Sequence, residues 1–123
     1  MATRILVVDD TPAIRRSVRF YLEQEPDWVI CGEAENGQVA IERVQTLRPD
    51  VVLLDLSMPV MNGLDAARAI KAIAPGTHIL MFTLHQHPQL VDEARKIGIA
   101  NVISKGGNAG PELLEAVRSL LDA

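Results

Sequence analysis

Runs of consecutive apolar residues alternate along this chain with segments in which apolar residues recur every three or four positions. Unbroken runs rich in branched side chains are typical of strands that are buried on both faces of a parallel sheet. The spaced segments are typical of amphipathic helices. We therefore predict five strand–helix units, with helices on both faces of the sheet. The predicted strands cover residues 4–8, 28–31, 51–55, 79–82 and 102–103.

Capping and turn residues indicate where the predicted helices begin and end. Thr11 can N-cap a first helix that has Pro12 at its first position. The second helix opens at Asn36 and Gly37, and the fourth ends at Gly98, which suits the residue that follows a helix. The other helix starts are expected just after Asn62 and Gly63, at Pro88, and at Gly110 and Pro111.

The composition indicates one globular domain, which we expect to span residues 1–123. Hydrophobic residues make up 48% and charged residues 23% of the chain, which excludes a disordered protein. The net charge of −4 argues against nucleic-acid binding, because phosphate backbones require a basic face. No apolar stretch approaches the roughly 20 residues that cross a bilayer, and we expect neither a signal peptide nor a membrane partner. The single cysteine, Cys31, can form no internal disulfide, which fits a cytoplasmic location.

Acidic residues mark the carboxyl ends of two predicted strands. Asp9 and Asp10 follow the first strand, and Asp55 ends the third. A Rossmann-type sheet would need a glycine-rich turn after the first strand, and the sequence there has none. We therefore predict a flavodoxin-like α/β sandwich with strand order 2-1-3-4-5, which puts strands one and three side by side where such sheets bind ligands. Under that order the three carboxylates converge, and Thr83 and Lys105 line the other side of the same cleft.

The chemistry of this predicted cluster favours a magnesium site. Three carboxylates this close repel one another, and without a partner at least one would take up a proton. Mg²⁺ resolves the conflict, because it binds one or two carboxylates together with water and phosphoryl oxygens. Thr83 offers a hydroxyl group and Lys105 a positive charge to a phosphoryl group. Asp55 stands alone on the central strand, so we expect it to be the nucleophile that forms an aspartyl phosphate.

Four motifs together resemble the receiver domain of two-component response regulators. They are the pair Asp9–Asp10, the stretch Asp55–Pro59 with Gly63, then Thr83, then Lys105. Each motif is weak alone, but the combination is specific, and the resemblance covers essentially the whole chain. The lysine–glycine junction and the sequence of the fifth strand look more like receivers that are attached to helix-turn-helix output domains.

The resemblance implies a phospho-accepting switch. Asp55 would accept phosphate from a phosphohistidine on a sensor histidine kinase or a histidine phosphotransfer protein. Asp10, Asp55 and the backbone carbonyl of Ser57 would bind Mg²⁺ directly, with Asp9 acting through water. Thr83 would shift toward the phosphoryl group and Lys105 would pair with it. The output would run through the surface of helix four, strand five and helix five, changing homodimerisation or affinity for a downstream protein.

The chain departs from the family pattern at Val102 and at Leu84. An aromatic residue usually stands in strand five and rotates as the threonine moves, but this chain has Val102, so we expect switching by a route without a ring. The residue after the threonine is usually small, and here it is Leu84. By resemblance, Leu84 and Ser57 tune how fast the phosphate is lost.

Two other functions compete with the switch. A phosphoaspartyl hydrolase of the haloacid dehalogenase type also uses an aspartate nucleophile and Mg²⁺. It requires a second aspartate two residues after the nucleophile, and this chain has Ser57 there. A degenerate receiver would only bind partners, and Val102 and Leu84 keep that alternative open. We expect no enzyme activity beyond the domain's own phosphorylation and dephosphorylation. His85 and His87 could form a transition-metal site, although two exposed loop histidines account for them more simply.

Overall fold

The computed structural model describes residues 2–84, 86–106 and 109–121. Five parallel strands form one sheet in the order β2-β1-β3-β4-β5. This is the predicted flavodoxin-like order, which is confirmed. The strands are β1 (Thr3–Val8), β2 (Trp28–Ala34), β3 (Val51–Leu54), β4 (His78–Thr83) and β5 (Asn101–Ser104). The helices are α1 (Pro12–Leu22), α2 (Gly37–Leu47), α3 (Gly63–Ile73), α4 (Pro88–Ile97) and α5 (Ala109–Leu121).

Two apolar clusters cover the two faces of the sheet, so the molecule has three layers. Alternate residues of a strand point to opposite faces, and β1 shows this directly. Leu6 and Val8 join the cluster that contains buried residues of α2, α3 and α4. Ile5 and Val7 join the cluster that contains buried residues of α1 and α5. The central strand β3 is buried along its whole length because both clusters cover it.

Capping side chains set most of the helix starts. The side-chain oxygens of Asn36 and Asn62 each accept a hydrogen bond from a backbone N–H of the first turn, at 2.9 Å. His87 caps α4 through Nδ1, which accepts from the backbone N–H of Leu90 at 3.1 Å. At the end of that helix Gly98 has φ 103°, the left-handed conformation that favours glycine. The prediction for Gly98 is therefore confirmed.

Several details differ from the sequence-based expectations. Thr11 stands at the N-cap position of α1, but its side chain makes no capping hydrogen bond. Asp55 lies just beyond β3 rather than within it. Tyr21 and Ile73, whose spacing places them on the apolar faces of α1 and α3, are nevertheless exposed. Both lie on helices that the sheet covers on one side only. Among the described residues, no helix is long and apolar enough to span a bilayer.

Candidate functional site

The register of β1 and β3 brings the predicted carboxylates together. Val8 pairs with Leu54, so the residues that follow them, Asp9 and Asp55, lie level at the carboxyl edge of the sheet. The backbone N–H of Asp55 donates to the carbonyl of Val8 at 3.0 Å, which carries the pairing one residue further. One carboxylate oxygen from each of Asp9, Asp10 and Asp55 lies within 4.8 Å of the others. The structure therefore confirms the convergence of the three acids.

Burial divides the three acids into two kinds. Asp9 is 2% exposed and Asp55 is 5% exposed, whereas Asp10 is open to solvent. The pKa of Asp55 is raised, first by burial and then by the negative charge of Asp9, while its contact with Lys105 opposes the change. Ionisation of the Asp55 carboxyl group is therefore costly in the folded protein, and the Asp9 carboxylate beside it is also buried.

Lys105 supplies a positive charge inside this cluster. Its Nζ lies 2.6 Å from Asp9 Oδ2 and 3.1 Å from Asp55 Oδ1, so one ammonium bridges both buried acids. The backbone N–H of Lys105 donates to the carbonyl of Thr83 at 2.8 Å, which fixes the start of the loop after β5 against the end of β4. Nζ is also 5.7 Å from the centre of the Phe82 ring. Thr83 itself is buried at the same edge of the sheet.

A turn and an arginine hold Asp9 in place. Asp9 Oδ1 accepts the backbone N–H of Thr11 at 2.9 Å, a local turn that fixes the carboxylate just before α1. Arg15 donates through Nη1 to the backbone carbonyl of Asp9 at 2.6 Å and through Nε to Glu33 at 2.9 Å. Arg19 also donates to Glu33 at 2.9 Å. The sequence interpretation missed Arg15 and Glu33, because nothing in the linear pattern indicates that the end of β2 faces α1.

Gly63 lets the loop after β3 close tightly behind the phosphoryl-acceptor candidate. A Cβ at this position would lie 2.2 Å from the carbonyl oxygen of Asp55. The backbone N–H of Gly63 donates to the carbonyl of Leu56 at 2.8 Å, so α3 begins directly against the end of the strand. Glycine is required here because a side chain would occupy the space of the Asp55 backbone. The sequence motif contained Gly63, but only the structure gives its contact.

The remaining predicted residues occupy the rim of the site and its surroundings. Ser57 and Leu84 are exposed in the loops that follow β3 and β4. Val102 is buried in the cluster shared with α4. His85 lies outside the described residues, and His87 is occupied as the cap of α4.

A divalent cation fits the arrangement of the acids. The donor set consists of hard carboxylate oxygens, two of them buried and one exposed, within reach of a single ion. Burial and the charge of Asp9 raise the pKa of Asp55 even with Lys105 in contact, so a further cation would favour the ionised carboxylate. Asp9, Asp10 and Asp55 are therefore the residues that could hold Mg²⁺.

Known proteins resemble this chain in sequence and in structure. Residues 5–118 match the family model described as the response regulator receiver domain. The chain is 38% identical over 119 residues to Protein CcdB of Bacillus subtilis, a match covering 97% of this chain and 98% of that protein. It is 52% identical over 83 residues to a protein-glutamate methylesterase/protein-glutamine glutaminase of Pseudoalteromonas atlantica. That match covers 68% of this chain and 22% of the relative, so this chain matches only about a fifth of the relative's length.

Solved structures give the same result for the fold. A two-component response regulator of the LuxR family from Aurantimonas sp. SI85-9A1 superimposes with a TM-score of 0.93 at 30% identity. The superposition covers 99% of this chain and 86% of that chain. The likeness therefore extends over the whole sheet and all five helices.

Proposed function

This chain belongs to the response regulator receiver domain family, and on that basis we propose that Asp55 accepts a phosphoryl group in a magnesium-dependent reaction. The donor is a phosphohistidine on a sensor histidine kinase or a histidine phosphotransfer protein. An oxygen of the Asp55 carboxylate attacks phosphorus, the bond from phosphorus to the histidine nitrogen breaks, and the imidazole leaves with the electron pair. The receiver domain spans residues 1–123 in this proposal.

One observation carries the proposal above the others. Lys105 bridges two buried carboxylates that come from neighbouring strands, at 2.6 and 3.1 Å, at the carboxyl edge of a parallel sheet. A bridge of this kind is costly to build, because two acids and one base must all leave water. Binding of Mg²⁺ and transfer of a phosphoryl group to Asp55 would be a chemical reason for keeping such a bridge.

The residues of the site have distinct roles in this proposal. Asp10 and Asp55, with the backbone carbonyl of Ser57, would hold Mg²⁺ directly, and Asp9 would act through water. The ion would neutralise carboxylate charge while an anionic phosphoryl group approaches. Lys105 would pair with a phosphoryl oxygen, and the Thr83 hydroxyl would donate to another. Ser57 and Leu84 stand exposed beside Asp55 and Thr83, where they would control access of water to the aspartyl phosphate.

The output surface consists of α4, β5 and α5. Gln86, three residues after Thr83, donates through its side-chain amide to the carbonyl of Val102 at 3.2 Å. A movement of Thr83 can therefore reach β5 through this loop, without an aromatic residue at position 102. An open groove of about 670 Å³ runs between β5 and α5 and offers room for a second copy or a downstream protein. Val102 packs with Leu90 and Ala94 of α4, whereas Val117 of α5 packs on the other face of the sheet.

The alternatives have less support from this chain. A phosphoaspartyl hydrolase of the haloacid dehalogenase type needs a second aspartate at position 57, where this chain has Ser57. The degenerate receiver would lack part of the reactive set, and here the acids, Thr83 and Lys105 all lie at one edge of the sheet. We propose that the chain carries out only its own phosphorylation and dephosphorylation. A cytoplasmic location remains a prediction from the unpaired Cys31.

Phosphorylation by acetyl phosphate tests the proposal. With Mg²⁺, the wild-type protein should gain the mass of one phosphoryl group, in an adduct that is stable in acid and labile in base. EDTA and the substitution Asp55→Asn should each abolish the adduct. Asp92→Asn, which removes an exposed carboxylate on α4, should leave it unchanged. A wild-type protein inert to acetyl phosphate and to a phosphohistidine donor, or an adduct that survives Asp55→Asn, would contradict the proposal.

Sizing and partner titration test the output surface. Beryllofluoride with Mg²⁺ mimics a phosphoryl group on an aspartate, so the protein should change its oligomeric state or its affinity for a partner. The same measurement on Gln86→Ala should show a smaller change, because the contact to Val102 is removed. Identical elution and affinity with and without beryllofluoride would exclude switching through this surface.

A further inference from the structure

Phe82 lies beneath the reactive cluster on the face of the sheet covered by α1 and α5. It is 7% exposed and packs in the same apolar cluster as Leu113 and Val117. Its ring carries no polar atom, and the chemistry assigned to the neighbouring Thr83 and Lys105 makes no use of it. Packing alone would nevertheless account for any large apolar residue at this position.

The ring is placed to contact the ammonium of Lys105. Nζ lies over the ring at 5.7 Å from its centre, within the distance at which a cation is attracted to an aromatic face. The side chain of Lys105 is 8% exposed, so water screens this attraction only weakly. The ammonium thus has three neighbours, namely the carboxylates of Asp9 and Asp55 and the face of Phe82.

Contact with the Phe82 ring restrains a lysine side chain that borders a cavity. Lys105 and Phe82 both line a cavity of about 100 Å³ between α1 and α5, together with Tyr21 and Gly110. A lysine stem has four carbons and large rotamer freedom. Beside a cavity, apolar contacts alone leave that stem room to move. The two carboxylates hold the ammonium only while their charge is not shared with another cation.

We propose that Phe82 is a positioning residue for Lys105, and that the face of its ring holds the ammonium ready for a phosphoryl group on Asp55. Nζ is already 3.1 Å from Asp55 Oδ1, so the lysine needs little movement to reach the group that forms there. A charge held in position before the ligand arrives costs less ordering free energy on binding. The consequence for phosphoryl binding rests on the proposed function, whereas the contact of ring and ammonium does not.

Fluorinated phenylalanines at position 82 separate this role from packing. One, two or three fluorines leave the shape of the ring nearly unchanged but progressively weaken the attraction of its face for a cation. With Mg²⁺ present, the concentration of beryllofluoride needed for half-saturation should rise stepwise, by about three- to tenfold for the trifluorinated ring. Phe82→Leu should show a comparable loss. The same trifluorinated residue at Phe20, which is 68% exposed on α1, is the matched control and should have no effect.

A second readout needs neither metal nor phosphoryl mimic. The ring current of Phe82 should shift the proton resonances of the Lys105 side chain nearest Nζ upfield, and Phe82→Leu should return them to ordinary values. Fluorination should have no further effect on beryllofluoride affinity in a Lys105→Met background. The proposal would be overturned by an affinity independent of the number of fluorines, by one that increases with it, or by an unshifted lysine resonance. Failure of wild-type Asp55 to bind beryllofluoride at all would instead count against the proposed function.

Discussion

Lys105 lies closer to Asp9 than to Asp55, with Nζ at 2.6 Å from Asp9 Oδ2 and 3.1 Å from Asp55 Oδ1. The lysine therefore provides positive charge at the carboxylates that we propose for Mg²⁺. A second cation that approaches these carboxylates must share them with the ammonium or displace it. This relationship makes lysine and metal competitors for Asp9, although both would help a phosphoryl group on Asp55.

Removal of the lysine charge should strengthen magnesium binding. We expect Lys105→Met to bind Mg²⁺ about three- to tenfold more tightly, since a unit charge a few ångströms away opposes a divalent cation. Isothermal titration calorimetry at low ionic strength gives the dissociation constants. Lys96→Met removes the same charge from the exposed last turn of α4 and should leave the affinity within a factor of two. Weaker binding by Lys105→Met would show that the lysine organises the acids rather than competing for them.

A methyl group at position 63 should disturb the acceptor strand. Gly63→Ala places a Cβ 2.2 Å from the carbonyl oxygen of Asp55, so the loop or the strand end must move. We expect the free energy of unfolding to fall by about 2 kcal/mol or more, with a loss of phosphorylation at Asp55. Gly76→Ala is the control, because a Cβ there meets no atom within 4 Å. Urea unfolding of both variants checks the difference, and equal stabilities would contradict the close approach.

The stability of the metal-free protein should depend on pH through Asp55. Burial and the charge of Asp9 raise its pKa, so the folded state binds this proton more tightly than the unfolded state does. Ionisation of Asp55 therefore costs stability above the raised pKa, and the cost disappears as the pH falls below the ordinary value near 4. We expect Asp55→Asn in EDTA to be more stable than the wild type at pH 7.

The higher stability of Asp55→Asn should shrink as the pH is lowered toward 4. The measurement is the difference in free energy of unfolding between this variant and the wild type. Asp92→Asn, an exposed substitution on α4, should show no such trend. An Asp55→Asn protein less stable than the wild type at pH 7 would mean that the contact of Asp55 with Lys105 outweighs its burial. Saturating Mg²⁺ should reduce the advantage of the variant, because the ion stabilises the ionised carboxylate.

The loop after β3 carries backbone strain at Val60. This residue has φ 70°, and the backbone N–H of Met61 donates to the carbonyl of Pro59 at 2.7 Å across it. A β-branched side chain is unfavourable in that conformation. Val60 is 80% exposed, so its side chain contributes little packing in return. We expect Val60→Asn to raise the free energy of unfolding by about 0.5–1 kcal/mol, as asparagine tolerates positive φ.

Val29→Asn is the matched control for this prediction. Val29 is also exposed, but it lies in β2 without a positive φ, where asparagine is a poor strand residue. That variant should be less stable than the wild type. Thermal unfolding of both proteins gives the sign of each change. A destabilised Val60→Asn would show that the valine side chain holds the loop.

The apolar pattern predicted a parallel sheet, and the lack of a glycine-rich turn after the first strand then favoured the strand order that brings the acids together. An unbroken apolar run such as Val51–Leu54 is stable only as a strand that is buried on both faces of the sheet. Because neighbouring strands of such a sheet are parallel, Asp9 and Asp55 then lie at the same edge. Thr83 and Lys105 follow from the same rule, because they come directly after later strands. These are local signals, since each depends on the position of a residue relative to the end of its own strand.

Tertiary structure decided the contacts made across the sheet and between layers. The sequence does not show that Arg15 reaches Glu33 and the Asp9 carbonyl, that Gly63 touches Asp55, or that Phe82 lies under Lys105. Each joins elements that are distant along the chain, and its distance depends on how helices pack on the finished sheet. Sequence periodicity fixes which face a side chain occupies, whereas the neighbour that it meets there is fixed only when the layers close.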